Sequence, residues 1–350
     1  METTTVAIDL AKDVFQVAMA NRAGRILDRQ RLTRRQFERF LETLDSGVDV
    51  VMESCGTSHY WGRRLQSRGL RVRLLPVQYV RPYVRRNQTD RTDTDALVEA
   101  ARCEDIRPVP VKTVEQQTRQ ALHRVRTQWQ TTRVARINAM RGLLAEHGYA
   151  IPVGARTGCR RVGAILADPD TTVPAVLRQT LALVVEEVRV LEAQIVGIDR
   201  QLAALAAAHP IATRLPTIPG VGLLGATALV GAVSHIDRFR RGRECASWLG
   251  LTPRESSSGG TRRLGRISTR GDGHLRCLLV HGARAVLRSA NYHTERSPDR
   301  LTRLHQWALS VAAHRGFHKA VVAVANKLAR IVWAVWKYEV AFNPRPAAAA

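Results

Sequence analysis

The segment TVAIDLAKDVFQVAMANRAGRILDRQRL, residues 5 to 32, contains three apolar runs separated by short polar breaks. Thr5 to Leu10 and Val14 to Ala20 contain β-branched and aromatic residues, which favour strands. A turn at Ala23-Gly24-Arg25 leads to the third run, Ile26 to Leu32. The pattern predicts three strands that follow one another as hairpins.

The next residues alternate between helical and strand patterns. Apolar residues at helical spacing between Phe37 and Leu44 predict a helix, and Val48 to Met52 predicts a buried strand that delivers Glu53 at its end. A helix from about Ser58 to Arg68 and a strand from Leu70 to Leu75 complete the alternation. This order predicts an α/β domain with a mixed sheet of the ribonuclease-H kind.

The composition indicates the class of partner. The 350 residues include 54 Lys and Arg against 30 Asp and Glu, a formal net charge of +24. Such a charge predicts a polyanionic partner, because neutralised phosphates release counterions and drive binding. Five scattered cysteines without a CxxC pair argue against a disulfide framework and a zinc site. The absence of a signal peptide and of any apolar run of about 18 residues predicts a cytoplasmic protein without a membrane partner.

Four carboxylates stand where short apolar runs end or begin: Asp9, Glu53, Asp90 and Asp93. The first two end predicted neighbouring strands. The last two lie three residues apart before an apolar run, so a helix starting there would turn both to one side. Carboxylate oxygens suit Mg²⁺ or Mn²⁺, and two ions about 4 Å apart can clamp the reacting oxygens of a phosphodiester. The set predicts a metal-dependent enzyme acting on nucleic acid, although spacing alone does not exclude Asp13 or Asp95.

Residues 114 to 147 have the pattern of one long helix that is strongly basic in its middle. Six arginines and no acid occur between its residues 119 and 141: Arg119, Arg124, Arg126, Arg133, Arg136 and Arg141. We expect this face to bind a nucleic-acid backbone. The alternative is a solvated basic face on a helix that only packs.

A further helical stretch has apolar residues in alternating steps of four and three over three heptads. Its seam consists of Val184, Val188, Leu191, Ile195, Ile198, Leu202 and Leu205. Such a seam packs inside one subunit or joins copies as a coiled coil. We favour a coiled coil between copies, because Pro174 and Pro210 set the stretch apart.

The tetrapeptide Pro219-Gly220-Val221-Gly222 has the pattern of the hairpin in helix-hairpin-helix modules. Backbone N–H groups around Gly220 and Gly222 would form an anion nest at a helix N-terminus and bind phosphate without reading sequence. A plain tight turn between two helices is the alternative.

The run ESSSGG, residues 255 to 260, leads directly into TRRLGRISTRG, residues 261 to 271. The arginines of this region are Arg262, Arg263, Arg266, Arg270 and Arg276. They predict a phosphate-binding surface that carries hydroxyl groups. A serine needs activation to attack a phosphodiester, and no Ser-His-Asp spacing is evident, so polarisation of the phosphate by metal or arginine would substitute.

These motifs, taken in order, resemble one family of insertion-sequence transposases, the family numbered one hundred and ten, in its eleven-eleven branch. The motifs are AIDLAK at residues 7–12, MESCG at 52–56, RNQTDRTD at 86–93, IPGVG at 218–222, residues 239–251, SSGG at 257–260, GRISTRG at 265–271 and HGAR at 281–284. The resemblance runs from about residue 5 to residue 340. Gln88 stands near the position where the family usually has Lys, and Thr94 where it has Ala; neither is a metal ligand of the family.

The resemblance implies a RuvC-like ribonuclease-H fold. It places the family's four metal-binding acids, which would hold two Mg²⁺ or Mn²⁺ ions, on Asp9, Glu53, Asp90 and Asp93. It places the nucleophilic serine on Ser258, with Ser257 as the alternate, and implies a transient 5′-phosphoserine link to DNA. Since acids and serine belong to separate domains, it also implies a composite site across the subunits of a dimer or tetramer. The implied partners are donor and target DNA and a structured bridge RNA, bound by shape along the helix from Arg119 to Arg141. The implied location is the bacterial cytoplasm, in association with the nucleoid.

We therefore predict four segments and one leading function. The segments are a metal-binding catalytic domain at 1–112, a helical spacer with the basic helix and coiled coil at 113–210, a mostly helical transposase domain at 211–343 and a disordered tail at 344–350. The leading function is RNA-guided DNA recombination. A site-specific DNA invertase, a RuvC-like nuclease that needs the acids but not Ser258, and an inactive nucleic-acid-binding relic are the alternatives.

Overall fold

A computed structural model of the chain describes residues 2–84 and 90–344, with the Asp90 side chain outside the described part. The chain divides into two compact units, residues 1–116 and 117–350. Residues 85–89, which include the first four residues of the third motif, and residues 345–350 of the predicted tail lie outside the described residues. The finer domain boundaries stay predictions.

The first unit is a mixed five-stranded sheet with helices. Its elements in the described residues are β1 Thr5–Leu10, β2 Val14–Ala20, β3 Ile26–Thr33, α1 Arg34–Glu42, β4 Asp49–Glu53, α2 Ser58–Gln66, β5 Arg71–Leu75, α3 Val77–Val80 and α4 Asp90–Ala101. The strand order is β3-β2-β1-β4-β5. The pairs β1–β2 and β2–β3 are antiparallel, whereas β1–β4 and β4–β5 are parallel. The predicted hairpin strands and mixed sheet are confirmed.

Two cores lie on opposite faces of this sheet because successive strand side chains point to opposite sides. Val6 and Ile8 of β1 pack with Phe37 of α1 and Trp61 of α2 on one face. On the other face, Ala7 of β1 and Val51 of β4 pack with Leu97 of α4 and its neighbours. The face of Ala7 is therefore the one on which the next odd-numbered residues of both strands emerge, beside α4.

The second unit is mostly helical. Its elements in the described residues are α5 Val114–Ala145, which begins just before the unit boundary, α6 Ala155–Ala167, α7 Ala175–Ala207, α8 Pro210–Arg214, α9 Leu223–Ala232, α10 Gly242–Trp248, β6 Pro253–Glu255, β7 Leu264–Ile267, α11 Gly273–Arg296, α12 Arg303–Arg315 and α13 Phe317–Lys337. The predicted long basic helix is α5. One apolar core joins the helices α8 to α13, and another joins α5, α6 and the first half of α7.

The heptad seam of α7 has a different role from the one we favoured. Val188 and Leu202 are fully buried within the single chain, and Leu191, Ile195 and Ile198 are at most 7% exposed. Val188 packs in the core shared with α5 and α6. These seam residues are therefore buried by packing within one chain, which is the alternative that the sequence left open, and a coiled coil between copies is not confirmed.

Candidate active site

Three of the four predicted acids lie on one face of the first unit's sheet. Asp9 follows Ile8 on β1, and Glu53 follows Met52 on the parallel neighbour β4, where Ile8 and Met52 pair in register. Both acids therefore emerge at the carboxyl ends of adjacent strands, on the face covered by α4. Asp93 lies in the first turn of α4, one turn before the buried pair Ala96 and Leu97. The sheet and α4 thus place these acids on the same side of the sheet, and their role as metal ligands stays a prediction.

The pKa of Glu53 indicates that the three acids are near one another. The pKa of Glu53 is raised by burial first, and then by the negative charges of Asp9 and Asp93. All three side chains are partly buried. A carboxyl whose pKa is raised by neighbouring carboxylates lies in a region of negative potential, which a cation would relieve.

The chemistry of this donor set fits a hard divalent cation, which prefers carboxylate oxygens. Among the described residues, no three Asp, Glu, His or Cys side chains are tight enough to enclose a metal ion. Charges act over longer distances than metal–ligand bonds, so the two observations agree on a loose cluster. Asp90 begins α4, and its side chain lies outside the described residues. Asp9, Glu53 and Asp93 are the described residues that would hold a metal.

The two competing acids have other surroundings. The carboxylate of Asp95 accepts hydrogen bonds from both terminal nitrogens of the Arg29 guanidinium on β3, the Nη2–Oδ2 bond measuring 3.0 Å. Asp13 is exposed in the turn between β1 and β2. The Asp95 carboxylate is therefore held in a bidentate ion pair, whereas the Asp13 side chain faces solvent.

The predicted serines lie at the tip of an exposed hairpin in the second unit. Strands β6 and β7 are antiparallel, and Ser258 and Thr261 form a further bridge towards the tip. Between them Gly259 and Gly260 have φ of +54° and +76°. Positive φ at both central residues defines the tight turn that matches strand twist, which explains the glycine pair. The glycine pair therefore forms a tight turn that presents Ser258 to solvent.

The base of this hairpin is clamped to the helical core. A Cβ on Gly250 would lie 2.1 Å from the Arg270 carbonyl oxygen, and one on Gly271 would lie 2.0 Å from that of Trp248. The Arg276 guanidinium donates to the carbonyl oxygens of Leu249 and Arg270, at 3.2 and 3.3 Å. The close packing at Gly250 and Gly271 and the hydrogen bonds of Arg276 thus fix the base of the hairpin. The Arg276 guanidinium, which we predicted to bind phosphate, donates to the protein backbone.

Four predicted phosphate-binding arginines lie on the same exposed segment as the serines. Arg262, Arg263, Arg266 and Arg270 are all exposed. Arg262 lies beside Glu255, with Nε 3.3 Å from Oε1. Strands β6 and β7 themselves are exposed along nearly their whole length. The hairpin is a basic arm that carries hydroxyl groups.

The arginines of α5 are largely engaged within the chain. Arg126 and Arg136 pair with Asp199 and Glu187 of α7, with N–O distances of 2.6 and 2.7 Å, and Arg133 approaches Glu192 at 3.5 Å. Arg119 is only 8% exposed, and Arg141 donates to the Pro152 carbonyl. Arg124 is exposed. Their nucleic-acid role stays a prediction. A phosphate would have to displace a carboxylate at three of the six.

The two glycines of the turn at residues 219–222 have different surroundings. Gly220, at φ +84°, crosses Gly282 of α11 so closely that a Cβ would lie 2.5 Å from the Gly282 carbonyl oxygen. Gly222 is exposed at the start of α9, and a Cβ there would meet nothing within 4 Å. Close backbone packing explains Gly220, whereas phosphate binding at Gly222 stays a prediction.

Sequence reasoning missed a basic groove of about 570 Å³ on the second unit. Arg241 and Arg243, at the start of α10, face Lys327 and Arg330 of α13 across it. The signal in the sequence was RFRRGR at residues 238–243, but the two α13 cations are far away along the chain. In the described part of the chain none of these four cations forms an ion pair.

Comparison with protein families places both units. The model described as "Transposase IS116/IS110/IS902 family" matches residues 212–297. The model of the IS110 DEDD domain, described as "Transposase", matches residues 6–148. The first region contains the hairpin and the second contains all four predicted acids.

Curated relatives match over nearly the whole chain. A "Probable family 20 transposase" of Pseudomonas aeruginosa is 39% identical over 98% of this chain and 100% of its own length. The "Transposase for insertion sequence element IS1111A" of Coxiella burnetii is 37% identical over 94% of this chain and 88% of its own. The corresponding protein of element IS1328 from Yersinia enterocolitica is 33% identical over 95% and 96%. In the described ranges, helices long and apolar enough to cross a membrane are absent.

Proposed function

The chain belongs to the IS116/IS110/IS902 family of insertion-sequence transposases, which cleave and rejoin DNA, and we propose that its hairpin serine forms a covalent link to the DNA strand. The observation that carries the proposal is the exposed, arginine-rich hairpin that presents Ser257 and Ser258 above a clamped base. A hydrolytic nuclease needs no such arm, because water would serve as its nucleophile.

The acids of the first unit have the supporting role. The DEDD domain match suggests dependence on a divalent metal. A bound Mg²⁺ or Mn²⁺, two of them in our proposal, would polarise the scissile phosphate. The ion would be bound and oriented by Asp9, Glu53, Asp90 and Asp93. The negative charges of Asp9 and Asp93 beside Glu53 favour a cation there. We further propose that this unit has the RuvC-like ribonuclease-H fold, which its sheet order and α4 support.

The serine of the second unit makes and later breaks the covalent link. Ser258 or Ser257 attacks the phosphorus, and the 3′ oxygen leaves, which gives a 5′-phosphoserine. The new ester conserves the energy of the phosphodiester, so a 3′-hydroxyl of another strand can attack it and release the serine. Arg262, Arg263, Arg266 and Arg270 hold the phosphates on either side.

Recognition of the DNA sequence is assigned to a guide. We propose that a structured bridge RNA pairs with donor and target DNA, while the protein contacts backbones. The net charge of +24 supports a large polyanionic partner. The groove between Arg241 and Arg330 and the exposed Arg124 offer further cations for it. The salt-bridged arginines of α5 would join only by exchanging partners.

The acids and the serine belong to different units, so we propose that they act on one phosphodiester within a dimer or tetramer. The buried seam of α7 leaves a second stripe for assembly. Val176, Leu183 and Val190 recur every seven residues and are 77%, 74% and 46% exposed. Apolar side chains at that spacing form one line along a helix.

A strand-exchange assay tests the proposal. Purified full-length protein, Mg²⁺, duplex with the abutted ends of the element, target duplex and RNA transcribed from the element are combined, and joined strands are quantified. We expect Asp9→Asn and the double variant Ser257→Ala with Ser258→Ala to lose joining by more than about 1,000-fold. Asp13→Asn, on the exposed turn beside Asp9, is the matched control.

The same assay tests the guide. Omitting the RNA should abolish joining, and changing its pairing segment should redirect joining to a matching target. Joining that survives the double serine substitution contradicts the covalent mechanism. Joining that ignores the RNA contradicts guidance and favours a protein-directed invertase.

A further inference from the structure

The basic groove of the second unit continues into a neighbouring cavity. The groove of about 570 Å³ and a second cavity of about 290 Å³ share two lining residues of α13, Lys327 and Ile331. The second cavity reaches the start of α12, where Arg303 and Trp307 line it. We call the two together the extended groove. Its cations are Arg241, Arg243, Arg303, Lys327 and Arg330.

Close packing of two helices brings the cations of the wider part together. Gly242 stands between Arg241 and Arg243 at the start of α10. A Cβ on Gly242 would lie 3.2 Å from both the Cα and the carbonyl oxygen of Arg330. A side chain at this position would be crowded, so the glycine lets the start of α10 lie directly against α13. Two arginines of α10 are thereby held beside Arg330.

The positive charges of the extended groove are not neutralised by the protein. Over the ranges that the structure describes, none of the five cations forms an ion pair. Lys327 Nζ lies 5.0 Å from the centroid of the Trp307 ring, a contact that orients the ammonium and leaves its charge in place. Three arginines of α5, in contrast, face carboxylates of α7. A cleft lined by one sign of charge concentrates its field and attracts a polyanion.

The floor of the extended groove indicates which form of polyanion fits. Ile331, Trp333 and Trp307 line it, and all three are partly buried against the apolar core. Cations beside apolar and aromatic surface suit a strand that offers phosphates and bare bases at once. In a duplex the bases are stacked and covered, so a duplex would meet the rim of the groove and leave its floor empty. The surface therefore fits an unpaired strand of nucleic acid.

We propose that the extended groove binds an unpaired segment of the RNA, with phosphates on its five cations and bases against its apolar floor. The inference rests on the proposed guide RNA and gives part of that RNA a place on the second unit. The DNA partners arrive as duplexes, whereas a structured RNA presents unpaired loops before any strand is cut. The RNA is therefore the occupant that is available when the complex assembles.

Binding of short labelled probes by the full-length protein tests the groove. The probes are an unstructured RNA, the DNA strand of the same sequence and the corresponding DNA duplex, each titrated at several salt concentrations. Arg241→Ala with Arg330→Ala should lower the affinity for the RNA by about 10-fold or more and leave that for the duplex nearly unchanged. The slope of log affinity against log salt should fall by about 1.4, since each phosphate contact on a single strand contributes about 0.7.

The matched control removes two exposed arginines from another helix. Arg160→Ala with Arg161→Ala, on α6, changes the net charge by the same amount and should bind the RNA as wild type does. An unchanged RNA affinity in the groove variant overturns the proposal. An equal loss in the α6 variant also overturns it, because net charge would then explain both. A loss that is greater for the duplex than for the RNA overturns the single-strand assignment.

Ultraviolet crosslinking identifies the strand in the complete complex. Protein, RNA transcribed from the element, end-junction duplex and target duplex are irradiated, digested with nucleases and trypsin, and analysed by mass spectrometry. We expect a ribonucleotide on the peptide of residues 304–315 or 331–337, which carry the indoles of the floor. A deoxyribonucleotide on these peptides overturns the assignment to RNA.

The two levels of the proposal fail in different ways. Strand joining by wild-type protein without RNA defeats the proposed guide itself. Joining that requires RNA, together with an unchanged RNA affinity in the groove variant, leaves the guide standing and defeats only its place in the extended groove.

Discussion

At the scale of single residues, Glu53 links the folding of the first unit to its proposed metal chemistry. Its pKa is raised in the folded protein by burial and by Asp9 and Asp93. The folded state therefore binds this proton more tightly than the unfolded state does. The stability contributed by Glu53 is fully present below its unfolded pKa and is lost as pH rises through the higher folded pKa.

We predict that, without metal, the free energy of unfolding falls as pH rises through this window. The effect is less than about 1 kcal/mol, because the half-buried carboxyl is screened by solvent. Glu53→Gln should remove this part of the pH dependence. Thermal melts of the full-length protein from pH 4 to 7 measure it, and an identical pH dependence in wild type and variant contradicts the cluster.

Divalent metal should reverse that loss at neutral pH. A ligand at 100 times its dissociation constant stabilises the state that binds it by about 2.7 kcal/mol. Mg²⁺ should therefore raise the melting temperature of wild type and of Asp13→Asn, but not of Asp9→Asn. An equal shift in all three would mean that the ion binds elsewhere.

Substitutions of Arg276 and Arg266 by Ala are predicted to have different effects, the first on stability and the second on DNA binding. Arg276 donates to two backbone carbonyls, so Arg276→Ala should cost about 1–3 kcal/mol of stability. Arg266 is exposed on β7, so Arg266→Ala should keep stability and lower the salt dependence of DNA binding by about one phosphate contact. Thermal unfolding and binding titrations at several salt concentrations measure the pair. A stable Arg276→Ala protein with weakened DNA binding would restore the role that we predicted from the sequence.

At the scale of elements, we propose that α7 mediates assembly through an exposed apolar stripe other than its heptad seam. Replacing Leu183 and Val190 by Glu places two charges on the exposed apolar line. We predict that this double variant has a smaller assembled mass by light scattering, with an unchanged melting temperature. Val196→Glu is the matched control, because Val196 is 47% exposed on another side of the same helix. An unchanged mass in the double variant removes the stripe from assembly.

The sequence predicted elements well and long-range partners less well. The strands that deliver Asp9 and Glu53 were readable, because short runs of apolar and β-branched residues are a local pattern. The ion-pair partners of the α5 arginines were not readable from the sequence. Asp199 and Glu187 lie more than 50 residues away along the chain and contact these arginines only when α7 packs against α5. The same distance hid the packing of Gly220 against Gly282.

Turn geometry explains the other difference. No regular structure was predicted for ESSSGG from the sequence, whereas its two glycines adopt positive φ and close a hairpin. Position 255 then lies two residues from Ser257 along one strand edge, within hydrogen-bond reach. Nothing in a run of serines shows which hydroxyl meets the carboxylate. That choice depends on the twist of the turn.

At the scale of the whole molecule, two units contribute different chemistry to one enzyme. The first supplies a carboxylate cluster at the ends of parallel strands, and the second supplies hydroxyls on a basic arm. The family match shows a DNA cleaving and rejoining enzyme. A covalent serine link is what would let such an enzyme rejoin strands without an external source of energy.

The most direct test of this account is the identity of the bond between protein and DNA. Wild-type protein, Mg²⁺, RNA and end-junction DNA are quenched in denaturant, digested with nuclease and trypsin, and analysed by mass spectrometry. We predict a nucleotide joined through its 5′-phosphate to a serine of the peptide spanning residues 255–262, and loss of that species in Asp9→Asn. Cleaved DNA with a free 5′-phosphate and an unmodified peptide would contradict the covalent mechanism and leave a metal-dependent nuclease.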